Sequence, residues 1–201
     1  SEHPGVPEAM VDLVAPFTYN DTASFLGAIR VHDDGANVAA IIIEPTLIDP
    51  PVPGFLETIA LRARQCGIPL IFDEMVTGFR WHKSGYQAVC GITPDLAIFG
   101  KGMGNGYPIA AIVGKRALME EWGRLVSGTF GGETTGLAAA SAVIDKYIRR
   151  DIPGIMRGWG QLLFDHFGEY LTGQPYHPKW TFQGEQMALF LQETAKRGVL
   201  F

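Results

Sequence analysis

The chain predicts an α/β fold built on a mainly parallel sheet with flanking helices, on three observations. Short runs such as Val38 to Ile43 are β-branched and continuously apolar, as strands buried on both faces of a parallel sheet are. Stretches with helical spacing of apolar residues separate these runs, which implies right-handed parallel crossovers. A hydrophobic fraction of 47% and 25 glycines in 201 residues suit many tight strand-to-helix turns and argue against disorder.

The elements follow in order. Residues 1 to 20 carry three prolines and predict an irregular or short-strand entry segment. Asn20-Asp21-Thr22 supplies cap signals for a helix over Thr22 to Ile29, and Asp33-Asp34-Gly35 makes a turn. Glu44-Pro45 ends the Val38 to Ile43 strand. Pro50-Pro51-Val52-Pro53-Gly54 is a rigid loop, and a helix runs from Phe55 to Gln65 until Gly67 stops it. Further strands are expected at Pro69 to Phe72, Asp95 to Phe99 and Ile109 to Val113. Ala117 to Trp122 reads as a short helix, Gly128 to Gly132 as a tight loop, and Thr134 to Arg149 as a long helix. A second long helix is expected from Ile155 to Leu171, broken by Thr172-Gly173-Gln174-Pro175. A short strand at Trp180 to Phe182 and a helix from Met187 to Lys196 complete the chain. Residues 1–150 are read as part of a large domain, and residues 151–201 as a linking helix with part of a small C-terminal α+β domain.

Composition excludes several function classes. A net charge of −5 without any basic run argues against a nucleic-acid partner. Val38 to Ile43, the longest clean apolar run, is far too short for a membrane span, and Ser1-Glu2-His3-Pro4 does not read as a signal peptide, so a soluble, cytoplasmic chain is expected. Cys66 and Cys90 suit buried free thiols rather than a disulfide scaffold. His3, His32, His82, His166 and His177 form no ligand spacing, so no metal site is expected. None of Ser84, Ser127 and Ser141 sits in a Gly-x-Ser-x-Gly elbow, which disfavours hydrolase chemistry.

The chemistry concentrates at strand ends. Asp73 closes one apolar run, and Lys101, within Gly100-Lys101-Gly102-Met103-Gly104-Asn105-Gly106, closes the next. Ligands of open α/β sheets sit outside the carboxyl ends of strands, so an acid and an amine can converge there on one crevice. That pair suggests pyridoxal 5'-phosphate, which needs a lysine for its aldehyde and, commonly, an acid for its ring nitrogen. Each residue has a second reading. Lys101 could be an exposed lysine in a glycine loop, and Asp73 a helix cap or an ion-pair partner of Arg80. Glu44, at the corresponding strand end one crossover earlier, could be a surface acid before a proline. The glycine loop is not a nucleotide phosphate loop, because Gly102 follows the lysine, and Tyr107-Pro108 stands where a dinucleotide-binding helix would begin. Thr129, in Ser127-Gly128-Thr129-Phe130-Gly131-Gly132, precedes a helix and could offer a hydroxyl and N–H groups to a phosphate.

Val38 to Pro45, Pro51-Val52-Pro53-Gly54-Phe55-Leu56, Phe72 to Arg80, Pro94-Asp95-Leu96, Gly100-Lys101 and Gly128 to Gly132 together resemble the class III pyridoxal-phosphate-dependent aminotransferases, most closely the glutamate-1-semialdehyde 2,1-aminomutase branch. The resemblance implies fold type I and a homodimer with shared active sites, acting on an amino acid or keto acid. It implies Lys101 as the Schiff-base lysine, Asp73 as partner of the pyridine nitrogen, and Met75 as the apolar residue on the ring face. It implies Gly128 and Thr129 as contacts to the phosphate of the neighbouring subunit's cofactor, and Glu44 as an acid near the site. Many members carry Gln where this chain has Val76. Members are also about twice this long, and their upstream portion supplies a Gly-Ser/Thr phosphate loop and an aromatic residue over the ring. The chain is therefore expected to be a fragment or truncated product. The alternative expectation is a non-catalytic fragment or subunit that keeps the fold and dimer surface without productive cofactor binding.

Overall fold

The computed structural model describes residues 5–121 and 128–200. Helix α1 (Glu8–Val11) is a single turn in the proline-rich entry segment. Helix α2 (Thr22–Arg30) begins where its cap signals lie, because the Asp21 carboxylate accepts the Ser24 N–H at 2.9 Å. Strand β1 (Ile41–Ile43) is shorter than the apolar run that predicts it. Its burial also corrects the expectation: Ile41 and Ile43 are buried but Ile42 is 56% exposed, so one face of the strand is covered and not both. Helix α3 (Phe55–Cys66) buries Phe55, Leu56, Ile59 and Ala63 and ends at Gly67 with φ 67°.

Strand β2 (Leu70–Asp73) pairs in parallel with β1, Ile43 opposite Phe72. After a loop containing α4 (Gln87–Cys90), β3 (Leu96–Phe99) pairs in parallel with β2, Asp73 opposite Ile98. Strand β4 (Ala111–Gly114) runs antiparallel to β3, so the sheet is mainly parallel, as expected, with one antiparallel edge strand. The reason lies in the connection, where a 3₁₀ turn at Lys101–Met103 takes the place of a crossover helix. The sheet order is β1-β2-β3-β4.

Helix α5 (Arg116–Glu121) corresponds to the expected short helix, whose last residue, Trp122, lies outside the described residues together with Ser127. Helix α6 (Thr134–Arg149) has the expected bounds, its first turn capped by Glu133 accepting from Thr135 and Gly136 N–H. Helix α7 spans Ile152–Phe167 rather than 155–171, because the Asp151 carboxylate takes the Gly154 N–H and Pro153 suits the first turn. Leu171 instead opens β5 (Leu171–Gln174), which forms an antiparallel hairpin with β6 (His177–Trp180). The expected break at 172–175 is thus a strand and its turn. Helix α8 (Gly184–Lys196) follows.

The core joins Phe25 and Ile29 of α2, the inward residues of α3, Ile41 and Ile43, and Leu70 and Phe72. Trp81 and Tyr86, from the loop after β2, close it at the strand ends. Cys66 and Cys90 are free thiols, half-buried rather than fully buried. Among the described residues no helix is long and apolar enough to cross a membrane.

Candidate active site

Three adjacent parallel strands deliver their C-terminal residues to one edge of the sheet. Glu44 follows β1, Asp73 ends β2, and Lys101 comes just after β3. The register fixes their order, since Ile43 faces Phe72 and Asp73 faces Ile98. Burial pushes the Glu44 carboxyl above its usual range, with Asp73 adding to that rise and Lys101 opposing it. The three charges are therefore within one another's field. Lys101 itself is exposed.

Asp73 forms neither the helix cap nor the Arg80 ion pair that its alternative reading offers. Its Oδ1 accepts the Met75 N–H at 3.0 Å, which turns the chain at the strand end. Met75 then lies against the backbone beside the lysine: a Cβ placed on Gly100 would come within 2.6 Å of the Met75 thioether. A side chain at Gly100 would have to displace the Met75 thioether. Gly128 and Thr129 sit in an exposed turn ahead of α6, and neither bonds to Glu44, Asp73, Met75 or Lys101 among the described residues.

Lys101 has a left-handed backbone, φ 43°, and Phe79 has another, φ 63°. Every other described non-glycine residue with positive φ is Asn or Asp, the types that tolerate it. Such conformations, at about 1–3 kcal/mol each, persist where surrounding structure enforces them, commonly at functional sites. Here the enforcement is visible at Phe79, whose carbonyl accepts the Tyr147 hydroxyl of α6 at 2.6 Å while the two rings meet edge to face.

The decisive structural carboxylate is one that the sequence reading did not single out. Glu74 is fully buried, and its oxygens accept from the Tyr86 N–H at 2.8 Å, the Gln87 N–H at 3.0 Å and the Thr77 hydroxyl. Gly85, φ 81°, gives it room, because a Cβ there would strike the carboxylate. Strand alternation is the signal that could have found it: successive side chains leave a strand end on opposite sides, so Asp73 and Glu74 cannot share a role. The β5–β6 hairpin reaches the same corner. Arg80 Nη1 donates to the Tyr176 carbonyl at 3.0 Å, and Trp81 Nε1 donates to Gln174 Oε1 at 3.1 Å. Gln174 Nε2 in turn donates to Thr46 Oγ1 at 3.2 Å, next to the end of β1.

The arrangement can hold a planar, partly cationic ligand. Asp73 has one oxygen committed to the backbone and another facing no described donor, and Lys101 brings an amine to the neighbouring strand end. Pyridoxal phosphate has a ring N–H and an aldehyde for those two groups, and the residues present fit it.

Residues 4–170 match the family described as aminotransferase class-III. This chain belongs to that family. It is 36% identical over 150 residues to a glutamate-1-semialdehyde 2,1-aminomutase of Syntrophus aciditrophicus (strain SB), covering 71% of this chain and 34% of that protein. It is 33% identical over 203 residues to a 3-aminobutyryl-CoA aminotransferase of Cloacimonas acidaminovorans (strain Evry), covering 92% of this chain and 49% of that one. The chain therefore spans about half or less of the length of these curated relatives. Among solved structures, it superposes on the FumI protein of Sphingopyxis sp. MTA144 in its PLP internal aldimine form, with a TM-score of 0.86, 24% identity, and coverage of 98% of this chain and 52% of that one. The fold is that of the fold type I transferases, and the cofactor of the class III family is pyridoxal phosphate.

Proposed function

We propose that this chain carries part of the machinery of a pyridoxal-phosphate-dependent amino-group transferase, either an aminotransferase or an aminomutase of the glutamate-1-semialdehyde type. The observation that carries the reading is the meeting of Glu44, Asp73 and Lys101 at the ends of three adjacent strands. When bound, the cofactor supplies an aldehyde that captures amines and a cationic ring that stores the electron pair leaving the substrate carbon.

The residues divide the work. Lys101 Nζ would hold the cofactor's aldehyde carbon and, when free, would carry a proton to and from the substrate carbon that bears the amine. Asp73, through its uncommitted oxygen, accepts from the ring N–H and keeps that nitrogen protonated. Met75 covers one face of the ring. Glu44 tunes the local charge. Gly128 and Thr129 serve the phosphate bound by a second copy of the protein, so the working unit is a homodimer in the cytoplasm, and its substrates are amino and keto acids. Residues 151–201 form a linking helix and part of a small C-terminal domain.

The test uses the cofactor-loaded protein. Borohydride reduction and peptide mass spectrometry are expected to find the cofactor's mass on Lys101, and Lys101→Ala to lose both that adduct and the visible absorption band. Amino transfer then falls by at least about a hundredfold. A protein that stays colourless under saturating cofactor, or an adduct on a different lysine, overturns the reading and favours a subunit without productive cofactor binding.

A further inference from the structure

Lys101 is exposed, yet its backbone is left-handed, φ 43°, a conformation that persists at a lysine only where its surroundings enforce it. Part of the enforcement is local, because the Lys101 carbonyl accepts the Gly104 N–H at 3.1 Å and the Asn105 N–H at 3.0 Å. The rest comes from the loop after β2. A Cβ placed on Gly102 would meet the Phe79 Cβ at 3.5 Å and the Gly78 carbonyl at 3.6 Å, so the backbone of residues 78–79 rests on the residue that follows the lysine. Gly78 permits this approach, since a Cβ there would come within 2.5 Å of the Phe99 ring at the end of β3.

Phe79 is itself left-handed, φ 63°, which is unfavourable for a bulky side chain. Its carbonyl accepts the Tyr147 hydroxyl at 2.6 Å, and its ring meets those of Tyr147 at 5.4 Å and Phe99 at 6.0 Å, both edge to face. Tyr147 stands on α6, 68 residues away in sequence, and α6 also packs against the Lys101–Met103 turn. A side chain on a long helix therefore holds the strained residue that bears on the lysine turn. Burial pushes the Tyr147 hydroxyl above its usual range, with Arg80 opposing, so the group keeps its proton and stays a donor at neutral pH. Phe79, Arg80, Lys101 and Tyr147 line one cavity of about 320 Å³ between the strand-end loop, α6 and α7, which keeps this contact next to the lysine.

We infer that Tyr147 is a positioning residue for Lys101: its hydroxyl pins the Phe79 carbonyl, the pinned loop bears on Gly102, and the turn that presents the lysine is held in its strained form. The link to amino transfer rests on the proposed role of Lys101, and the two can fail separately. In the cofactor-free protein, hydrogen exchange of the Gly104 and Asn105 N–H groups reports the turn directly, since both donate to the Lys101 carbonyl. Tyr147→Phe keeps the ring and removes only the hydroxyl, and is expected to speed exchange at both groups by about threefold to tenfold. In the cofactor-loaded protein, the borohydride-trapped adduct on Lys101 should form more slowly and kcat should fall, each by a similar factor, while KM for the amino donor stays within about twofold. Gln174→Ala, which removes hydrogen bonds to Trp81 and Thr46 instead, separates positioning from general loss of stability: exchange at Gly104 and Asn105 should keep its parent rate. Glycine takes a positive φ without strain, so in a Phe79→Gly background the effect of Tyr147→Phe should shrink. Exchange rates within about twofold of the parent in Tyr147→Phe, equal acceleration in Gln174→Ala, or an undiminished effect in Phe79→Gly overturn the positioning role. Absence of the Lys101 adduct in the parent protein defeats the earlier reading instead, and the exchange comparison, made without cofactor, still decides whether Tyr147 holds the turn.

Discussion

Asp73 and Glu74 are consecutive carboxylates at the end of β2, and the structure treats them in opposite ways. Glu74 points into the protein, is fully buried and accepts from two backbone N–H groups and a hydroxyl. Asp73 points into the crevice, is only half-buried and accepts from a single N–H. The same contrast separates the regions around them. Beneath the strand ends, Thr77, Tyr86 and Gln87 satisfy Glu74, and Gln174 links Trp81 to Thr46; above them, Glu44, Lys101 and Arg80 carry charge without an ion-pair partner among the described residues. Satisfied polar groups rigidify a fold, whereas unsatisfied charge beside a cavity marks a place where a ligand completes the set. One region is the mount and the other is the instrument.

That contrast breaks most severely at Glu74. Glu74→Ala strands the Tyr86 and Gln87 N–H groups and the Thr77 hydroxyl in a buried space, each unsatisfied group costing about 1–3 kcal/mol. The expected loss is about 3 kcal/mol or more, read as a lower denaturant midpoint at unchanged slope. Asp73→Asn, in the crevice, should leave that midpoint nearly untouched. If both variants lose the same stability, the division between mount and instrument is wrong.

A smaller effect belongs to the hairpin. Gln174→Ala removes the acceptor of the buried Trp81 indole N–H and the donor to Thr46, and should lower stability by about 1–2 kcal/mol. The loss should shrink in a Trp81→Phe background, where no indole N–H is left to satisfy and only the contact to Thr46 is removed. Two variants whose losses simply add would show that the hairpin is held by other contacts.

How much of this was legible follows from the range of the forces. Helix α6 has the bounds its own sequence predicts, because small and apolar residues at helical spacing and the Glu133 cap are local signals. Lys101, Asp73 and Glu44 could be found because each closes an apolar run. Strand β5 could not: its fixing contacts, Trp81 to Gln174 and Gln174 to Thr46, span 93 and 128 residues, and its sequence Leu171-Thr172-Gly173-Gln174 carries little strand preference of its own. The direction of β4 was hidden for a related reason, since whether a glycine loop returns as a hairpin or starts a crossover is settled by what packs on it. Arg80 and Glu74 stood in the informative stretch, but a guanidinium facing a cavity and a carboxylate facing the core look alike in one dimension.

The mildest test concerns Glu44, whose carboxyl titrates above its usual range in the folded protein because burial and Asp73 disfavour its charged form. The folded state then binds more protons than the unfolded state in the window just above the ordinary carboxylate pKa of 4.5. Stability from this group is accordingly present below 4.5 and falls as pH rises through the shifted value. Glu44→Gln removes the titration, so the variant should be no less stable than the parent near neutral pH, with the difference shrinking to nothing as the pH drops below that window. The difference is small because the group is only half-buried, and thermal midpoints across a pH series resolve its sign. Under the proposed role of Asp73, a cationic ring bound there offsets the Asp73 share of the rise at Glu44, and the cofactor-loaded protein should show a weaker pH dependence than the apoprotein. A dependence of opposite sign, with Glu44→Gln losing stability as pH rises, would place Glu44 among the satisfied groups beneath the strands and move it out of the crevice.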